Sequence, residues 1–381
     1  MKRFKMGNIK QTDGRNKICF VALSAYPLLM QKNIKRIIGP DVHTTLLAKE
    51  LIKHNFEITF ITYGDGGAPV EYIDGIKIIK TYREDSSLNH ILKAFAIWKA
   101  MKKANTPIYY HHGGAAGIVS LFCKVMKRKL VWHIAHDKYV NREQENFMLI
   151  DRFGSWLDIK LADIIVAQSE YQRTILKKKF GRISTIIKNH FQIIKQDRPE
   201  KEKPPVVLWV GTMAKMKQPE LFPKLTQEIP EAMFKMVGGP SDDQGPYIHA
   251  KEMSKSIKNI NFLGFVPSHE INGYFKQAVI LVNTAKSEGF PYAFIQAWMN
   301  YTPVVSLNSD PDGIIFKNRM GFHSKTFDQL VKDVKILLKD EALREEMGIN
   351  GRKYVEREHD IKNIIGIHIN IFKKLLGESD G

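Results

Sequence analysis

Thiols are scarce in this sequence: two cysteines occur in 381 residues, Cys19 and Cys123, each inside an apolar segment with no Cys-x-x-Cys or Cys/His ligand spacing around it. They read as reduced core residues, and neither a disulfide framework nor a zinc site is expected. Long apolar runs are missing as well. No stretch reaches the ~18 residues needed to cross a bilayer, and Met1 to Lys17 is polar and charged where a signal peptide would be apolar. A cytoplasmic location is the expectation. There is no short-period repeat and no low-complexity tract, which sets aside solenoids. Acidic residues are in deficit, with 40 Asp and Glu against 58 Lys and Arg and a formal net charge of +18.

What is present is ample core material, 44% hydrophobic residues, in a chain long enough for two domains of ~100 to 200 residues each. The positive balance suits a phosphate-bearing ligand, an anionic membrane surface or, less favoured, nucleic acid. Basic clusters stand at Lys124, Lys127, Arg128 and Lys129 and at Lys177, Lys178, Lys179 and Arg182, where solvated helix faces explain them equally well. Leu88 to Lys103 interleaves Ile91, Leu92, Phe95 and Trp98 with four lysines, the pattern of an amphipathic basic helix suited to a membrane surface.

Short apolar strands alternate with helical stretches: Ile18 to Leu23, Glu57 to Thr62, Ile76 to Lys80, Ile108 to Tyr110, Lys129 to Ile134, Asp163 to Ala167 and Ile183 to Ile187 in the first half. The cycle restarts with Val206 to Val210, Met233 to Val237, Asn261 to Leu263, Val279 to Asn283 and Pro303 to Leu307. Alternation of this kind predicts an α/β protein made of two Rossmann-like, doubly wound parallel-sheet domains. Between them Lys195 to Pro205 carries three prolines in a polar stretch and reads as a linker. The expected units are residues 17–195, residues 206–360 and a C-terminal helix over 361–381 packing across both.

Ligands of open parallel sheets bind beyond the carboxyl ends of the strands, which directs attention to the loops after Ile134, Val210, Val237, Leu263 and Asn283. Gly238 and Gly239 let backbone approach a ligand, and Gly39-Pro40 opens a helix whose amides suit a diphosphate. The most specific segment is Ser287 to Trp298, SEGFPYAFIQAW, which follows a strand and opens a helix. Its Gly289 and Phe290 amides suit a phosphate or sugar hydroxyl, and Glu288 either accepts from sugar hydroxyls or caps the helix. Gln296 lies a little over two turns on, near the same face.

At these motifs the second half resembles the retaining family 4 glycosyltransferases, two-domain enzymes of the GT-B arrangement whose domains face across a cleft. The resemblance runs from Leu208 to Ile315 through WVGTMAKMKQPELF, FKMVGGP, NFLGFVP, LVNTAKSEGFPYAFIQAW and TPVVSLNSDPDG; the first half matches at Gly39 to His43 and at His136-Asp137. It implies a nucleotide-sugar substrate, no cofactor and no catalytic metal, the Asp310-Pro311-Asp312 pair belonging to a turn. Lys217 would neutralise the donor diphosphate and Gln296 bind the ribose, with Glu288 on the transferred sugar. Gly211, Thr212, Gly238, Gly289, Phe290 and Pro291 would shape the site; Phe265 and Val266 would touch the base, and Gly39 would face the phosphates. His136 resembles a histidine near the reacting centre, the alternative being an ordinary loop histidine. His111, His112 and Asp137 are candidates for the acceptor side, although a glycine-rich turn also accounts for the two histidines.

Two positions depart from the family. Thr212 stands where arginine is usual, which would weaken leaving-group stabilisation unless Lys215 substitutes, and Gln296 stands where glutamate is common. The expected activity is retaining transfer from a UDP-sugar, with GDP-mannose second, to a glycan or lipid-linked acceptor in cell-surface polysaccharide or glycolipid synthesis, on or near an anionic membrane face. Two rivals remain: a glycoside hydrolase, which needs two carboxylates where only Glu288 has a persuasive setting, and a basic membrane- or nucleic-acid-binding protein on a degenerate sugar-nucleotide fold.

Overall fold

The computed structural model describes residues 16–31, 38–113, 117–141 and 149–377, without the side chains at positions 268 and 269. All but the last two residues of the polar Met1 to Lys17 segment lie outside it.

Two sheets organise the described residues. The first holds β1 (Lys17–Val21), β2 (Glu57–Gly64), β3 (Val70–Ile73), β4 (Ile76–Arg83), β5 (Ile108–Gly113), β6 (Lys129–Ile134), β7 (Ile164–Ala167) and β8 (Thr185–Ile186), in the order β3-β4-β2-β1-β5-β6-β7-β8. The second holds β9 (Val206–Val210), β10 (Met233–Val237), β11 (Ile260–Gly264), β12 (Ala278–Asn283), β13 (Val304–Ser306) and β14 (Gly321–His323), in the order β11-β10-β9-β12-β13-β14. Neighbours pair in parallel throughout, apart from the antiparallel β3 and β4. That hairpin extends the purely parallel sheet expected from the sequence. Its turn is Asp74-Gly75, both with positive φ (49° and 81°), the chemistry that tight hairpins require. The strand expected over Ile183 to Ile187 is reduced to the two residues of β8.

Helices α1 (Tyr26–Met30), α2 (Gly39–Lys53), α3 (His90–Ala104), α4 (Ile118–Val125), α5 (Leu149–Leu161) and α6 (Glu170–Phe180) belong to the first sheet. The second carries α7 (Leu221–Gln227), α8 (Gly245–Lys255), α9 (Ser268–Gln277), α10 (Tyr292–Met299), α11 (Ile314–Lys317), α12 (Phe327–Lys339) and α13 (Glu341–Glu358), and α14 (Ile361–Leu376) ends the described chain. Because helices cover both faces, central strands are apolar on both sides. All six residues of β12 are buried. In β1, Ile18 and Phe20 point into one core and Cys19 and Val21 into the other, where the reduced Cys123 also lies.

Each sheet reverses its winding beside its first strand: β1 sits between β2 and β5, and β9 between β10 and β12. These switch points are where the loops at the carboxyl ends part to leave a crevice. The chain leaves the first domain through Asn189 to Phe191 and returns after α13. The two passages lie side by side, with the Phe191 N–H donating to the His359 carbonyl (2.8 Å) and the Ile361 N–H donating to the Phe191 carbonyl (3.0 Å). The stretch Lys195 to Pro205 is laid along the second domain, not free between the two. Arg198 pairs with Glu345 at 2.6 Å, and the Lys201 ammonium donates to the Asn300 carbonyl at 2.7 Å. Helix α14, expected across both domains, buries Ile364, Ile365 and Phe372 in the first domain's core, with the Phe372 ring against Phe56 and Tyr110, while in its first turn Asn363 Nδ2 donates to the Glu356 carbonyl of α13 at 2.9 Å.

The basic helix α3 turns Ile97, Ala100 and Met101 inward and leaves Ile91 (79% exposed) and Phe95 (65%) in solvent, while Trp98 packs on Phe122. Leu121 and Val125 on α4 and Leu149, Phe153 and Trp156 on α5 are exposed too, and α4 packs between α3 and α5. No helix among the described residues is long and apolar enough to cross a membrane.

Candidate active site

The carboxyl ends of the two sheets face each other across a cavity of about 450 Å³. It brings together Gly39, His112 and His136 from the first domain with Gly211, Thr212, Lys217, Gly238, Phe265, Val266, Glu288, Gly289, Phe290, Pro291 and Gln296 from the second. His111, Asp137 and Lys215 are not among its lining residues. The His111 ring bonds the Val21 carbonyl through Nδ1 at 3.0 Å. Asp137 accepts from Gln172 Nε2 at 2.9 Å and ties its turn to α6, and burial raises its carboxyl pKa to about 6. Lys215, the proposed substitute for an arginine at Thr212, is exposed to solvent and does not line the cavity.

Two helices aim their N-termini at the cavity. Helix α2 begins at Gly39-Pro40 and α10 at Tyr292, just after Pro291, and neither has a side-chain cap. Free amides and the positive end of the helix dipole at two points suit a ligand carrying more than one negative oxygen. Glu288 is therefore not the cap of α10. Its carboxylate forms an ion pair with the Lys217 ammonium and accepts from Asn283 Nδ2 at 3.2 Å.

The Lys217 position is set by a chain of bonds from β9. The Trp209 indole donates to Thr284 Oγ1 (2.9 Å), Thr284 Oγ1 donates to the Lys217 carbonyl (2.7 Å), and the Lys286 N–H donates to the Met216 carbonyl (2.9 Å). The 3₁₀ turn carrying Lys217 is thus fixed to the loop carrying Glu288. Gly238 permits the close approach of the β9 and β10 loops: a Cβ there would stand 1.8 Å from the Gly211 carbonyl oxygen. A Cβ at Gly289 would stand 2.7 Å from the Ala135 carbonyl oxygen, so this glycine is where the domains touch. On the other flank, the Asp312 carboxylate accepts from the backbone N–H groups of Glu170 (2.9 Å) and Tyr171 (3.2 Å) at the start of α6. The sequence reading placed Asp312 in a turn; the turn also clamps one domain to the other.

His136 Nδ1 accepts from the Lys138 N–H at 3.1 Å, so the neutral ring carries its proton on Nε2, which has no partner of normal geometry. Burial, then the Lys138 charge, pull its pKa down to about 4, with Glu288 and the Ser287 backbone opposing. The ring is a neutral donor at the cavity wall. Sequence reasoning missed Gln168, Asn189, Asn283 and Tyr292, which also line the cavity. Gln168 Nε2 bonds His112 Nε2 at 3.0 Å, and Asn189 Nδ2 donates to the Phe290 carbonyl at 3.0 Å from the crossing segment. Position gave the available signal, since Gln168 and Asn283 sit at the ends of β7 and β12.

The comparisons with known proteins agree with this geometry. Residues 190–354 match the family model described as Glycosyl transferases group 1, and residues 37–189 match Glycosyltransferase Family 4. Between them they take in both domains and every residue of the cavity. The chain is a GT-B glycosyltransferase of these families. An uncharacterized glycosyltransferase of Haemophilus influenzae is 23% identical over 87% of this chain and 96% of its own. Among solved structures, sucrose-phosphate synthase of Thermosynechococcus elongatus superposes with a TM-score of 0.79 at 14% identity, covering 96% of this chain and 100% of that one. Anabaena HepE in complex with UDP and glucose gives 0.73 at 16% identity, with 94% and 99% covered. This glycosyltransferase uses a nucleotide-sugar, and GT-B enzymes typically act without a catalytic metal. Its donor set fits that habit: among the described lining residues Glu288 is the one carboxylate, and Lys217 already neutralises it.

The His136 geometry makes a prediction about protonation. The unfolded chain takes up this proton below about pH 6.5 and the folded chain only near pH 4, so the group lowers stability progressively as pH falls through that window. Nitrogen chemical shifts of His136 are expected to report a neutral Nε2–H ring down to about pH 5. A midpoint near 6.5 would contradict the site as described.

Proposed function

We propose that this enzyme transfers a hexose from a UDP-sugar, with GDP-mannose as the second candidate, to a glycan or lipid-linked acceptor with retention at the anomeric carbon. The carrying observation is the Lys217–Glu288 pair lining one cavity with two uncapped helix N-termini. In this reading the donor diphosphate takes Lys217 away from Glu288 and lies on the amides of Gly39 and of the start of α10. Glu288, released, accepts from hydroxyls of the transferred sugar, and His136 donates its Nε2–H to the same sugar. Gln296 reaches the ribose, and Phe265 and Val266 flank the base. As the glycosidic bond to phosphate breaks, positive charge grows on the sugar and negative charge on the leaving diphosphate. Lys217 and the helix ends, already oriented, stabilise the second. The acceptor hydroxyl enters on the face the phosphate leaves and gives it its proton, so no enzyme nucleophile is required.

Two solved relatives support the chemistry: Anabaena HepE was captured with UDP and glucose, and WaaG is a glycosyltransferase involved in lipopolysaccharide biosynthesis. A hydrolase would need a second carboxylate on the cavity wall, which the described lining residues do not supply. The test is incubation of the enzyme with UDP- and GDP-sugars and glycan or lipid-linked acceptors, with proton NMR of the product. The expected outcome is transfer from one UDP-sugar, the product keeping the donor's anomeric configuration. Inversion would defeat the mechanism. Tight nucleotide binding without transfer, restored by Thr212→Arg, would instead identify a site that has lost its leaving-group ligand.

A membrane-facing acceptor would account for the apolar exposure of α3, α4 and α5, since Ile91, Phe95, Leu121 and Phe153 are interspersed with the exposed Lys99, Lys102, Lys103, Lys124 and Lys127. The protein is expected to sediment with phosphatidylglycerol vesicles and not with phosphatidylcholine alone. A Phe95→Ser, Ile91→Ser double substitution should reduce that binding ~10-fold or more, as two buried anchors contribute on the order of 1.5 kcal/mol each or above. Binding that ignores lipid charge and both substitutions would remove this surface from the account.

A further inference from the structure

Behind the donor cavity the first domain buries five imidazoles together. His43 on α2, His112 on β5, His133 on β6, His190 in the crossing segment and His368 on α14 are each at most 4% exposed. The His43 ring lies 4.4 Å from His112, 4.5 Å from His133, 4.1 Å from His190 and 5.9 Å from His368, centre to centre. Most of their polar atoms have nothing to bond. Both nitrogens of His368, Nδ1 of His43 and of His112, and Nε2 of His133 have no hydrogen-bond partner, and neither nitrogen of His190 has one of normal geometry, the His43 backbone being within weak reach. Leaving a buried polar atom unsatisfied costs about 1–3 kcal/mol, so a cluster of this kind points to a missing partner for some of these nitrogens rather than to packing alone.

Two trios offer ring nitrogens within 4.8 Å of one another: His43, His190 and His368, or His43, His112 and His133. Ring orientation separates them. A metal lies close to the plane of each imidazole that binds it, so the planes of its ligands must intersect at the ion. His112 and His133 stack at 4.0 Å with an interplanar angle of 11°, and no single ion can lie in both planes. In the other trio the planes cross at 46° (His43 with His190), 67° (His43 with His368) and 83° (His190 with His368). The His43 ring is also oriented from outside, because its Nε2 bonds the Tyr110 hydroxyl at 3.1 Å while Nδ1 stays free, the arrangement that fixes a metal-binding imidazole.

The structure assigns to His43, His190 and His368 a binding site for a divalent transition ion of the zinc class, with water or hydroxide as the fourth ligand. Imidazole nitrogens suit zinc at about 2.0–2.1 Å, and the three rings would close from their present spacing, within 4.8 Å, onto the ion. Burial holds all three rings in the neutral form that binds metal. The three residues are absent from the lining of the donor cavity, so the role is structural. The ion would join α2, whose first turn faces the donor cavity, to the segment by which the chain leaves the first domain and the helix by which it returns. No local ligand motif announces the site, because its residues come from three distant parts of the chain. Full burial means the ion enters as the protein folds and leaves slowly.

The test is metal analysis of untagged protein produced with zinc in the medium and dialysed against EDTA, together with cobalt(II) reconstitution followed by visible absorption. About one zinc per chain is expected to survive dialysis, with the absorption of a four-coordinate cobalt site after exchange. His190→Ala and His368→Gln should each lose the ion, while His133→Gln should keep it. Less than a tenth of an equivalent of zinc after refolding with the metal, or no cobalt spectrum, would overturn the assignment and leave a hydrated imidazole cluster. Retention by His368→Gln with loss from His133→Gln would overturn it as well. Since the wild-type metal content decides the question, a variant that fails to fold does not.

Discussion

The cleft is organised around one positive charge that faces the same cavity as two helix N-termini. Lys217 sits on a short turn with no helix of its own to stiffen it, and it is held by the Trp209–Thr284 hydrogen bond, by the Thr284 bond to its own carbonyl and by the ion pair with Glu288. A partly buried ammonium facing the same cavity as two positive dipole ends would be unfavourable alone. Glu288 offsets it and is itself kept in place by Asn283. In the proposed reading a diphosphate replaces the carboxylate at the lysine, and the carboxylate then becomes available to a sugar. Binding and readiness for chemistry would follow from the same exchange of partners.

The remaining architecture serves to bring this pair against the first domain. Each sheet presents its switch point, and contact across the cleft occurs at small or polar groups: Gly289 against the Ala135 carbonyl, Asp312 on the N-terminus of α6, and Asn189 on the Phe290 carbonyl. Lys188 adds bonds to Tyr354 and Glu358 on α13 beside the paired passages at Phe191 and Ile361.

The strands of both domains were legible because a central parallel strand is a continuous apolar run, and Val206 to Val210 and Val279 to Asn283 can be little else. Glu288, Lys217 and the glycines around them were legible because they belong to local segments that follow such strands. The hairpin at β3 was hidden in a polar stretch, though Asp74-Gly75 carries its turn chemistry. Long-range partners could not be read: that Asp312 reaches α6, that α14 completes the first domain, that Asp137 and His111 turn away from the cavity, and that Lys215 faces solvent are outcomes of tertiary packing with no local sequence signature. The histidine cluster has the same character. Its members sit inside elements that would otherwise be read as ordinary core, and only the fold puts them in contact.

In the proposed mechanism Lys217 is the principal charge for a donor diphosphate, and calorimetric titration of UDP into the wild-type protein and Lys217→Ala decides whether it is. Saturable binding to the wild type is expected, weakened ~10- to 100-fold in the variant as a charge-assisted contact of about 1.5–3 kcal/mol is lost. Equal affinity in both proteins, with the variant folded as the wild type, would contradict the account.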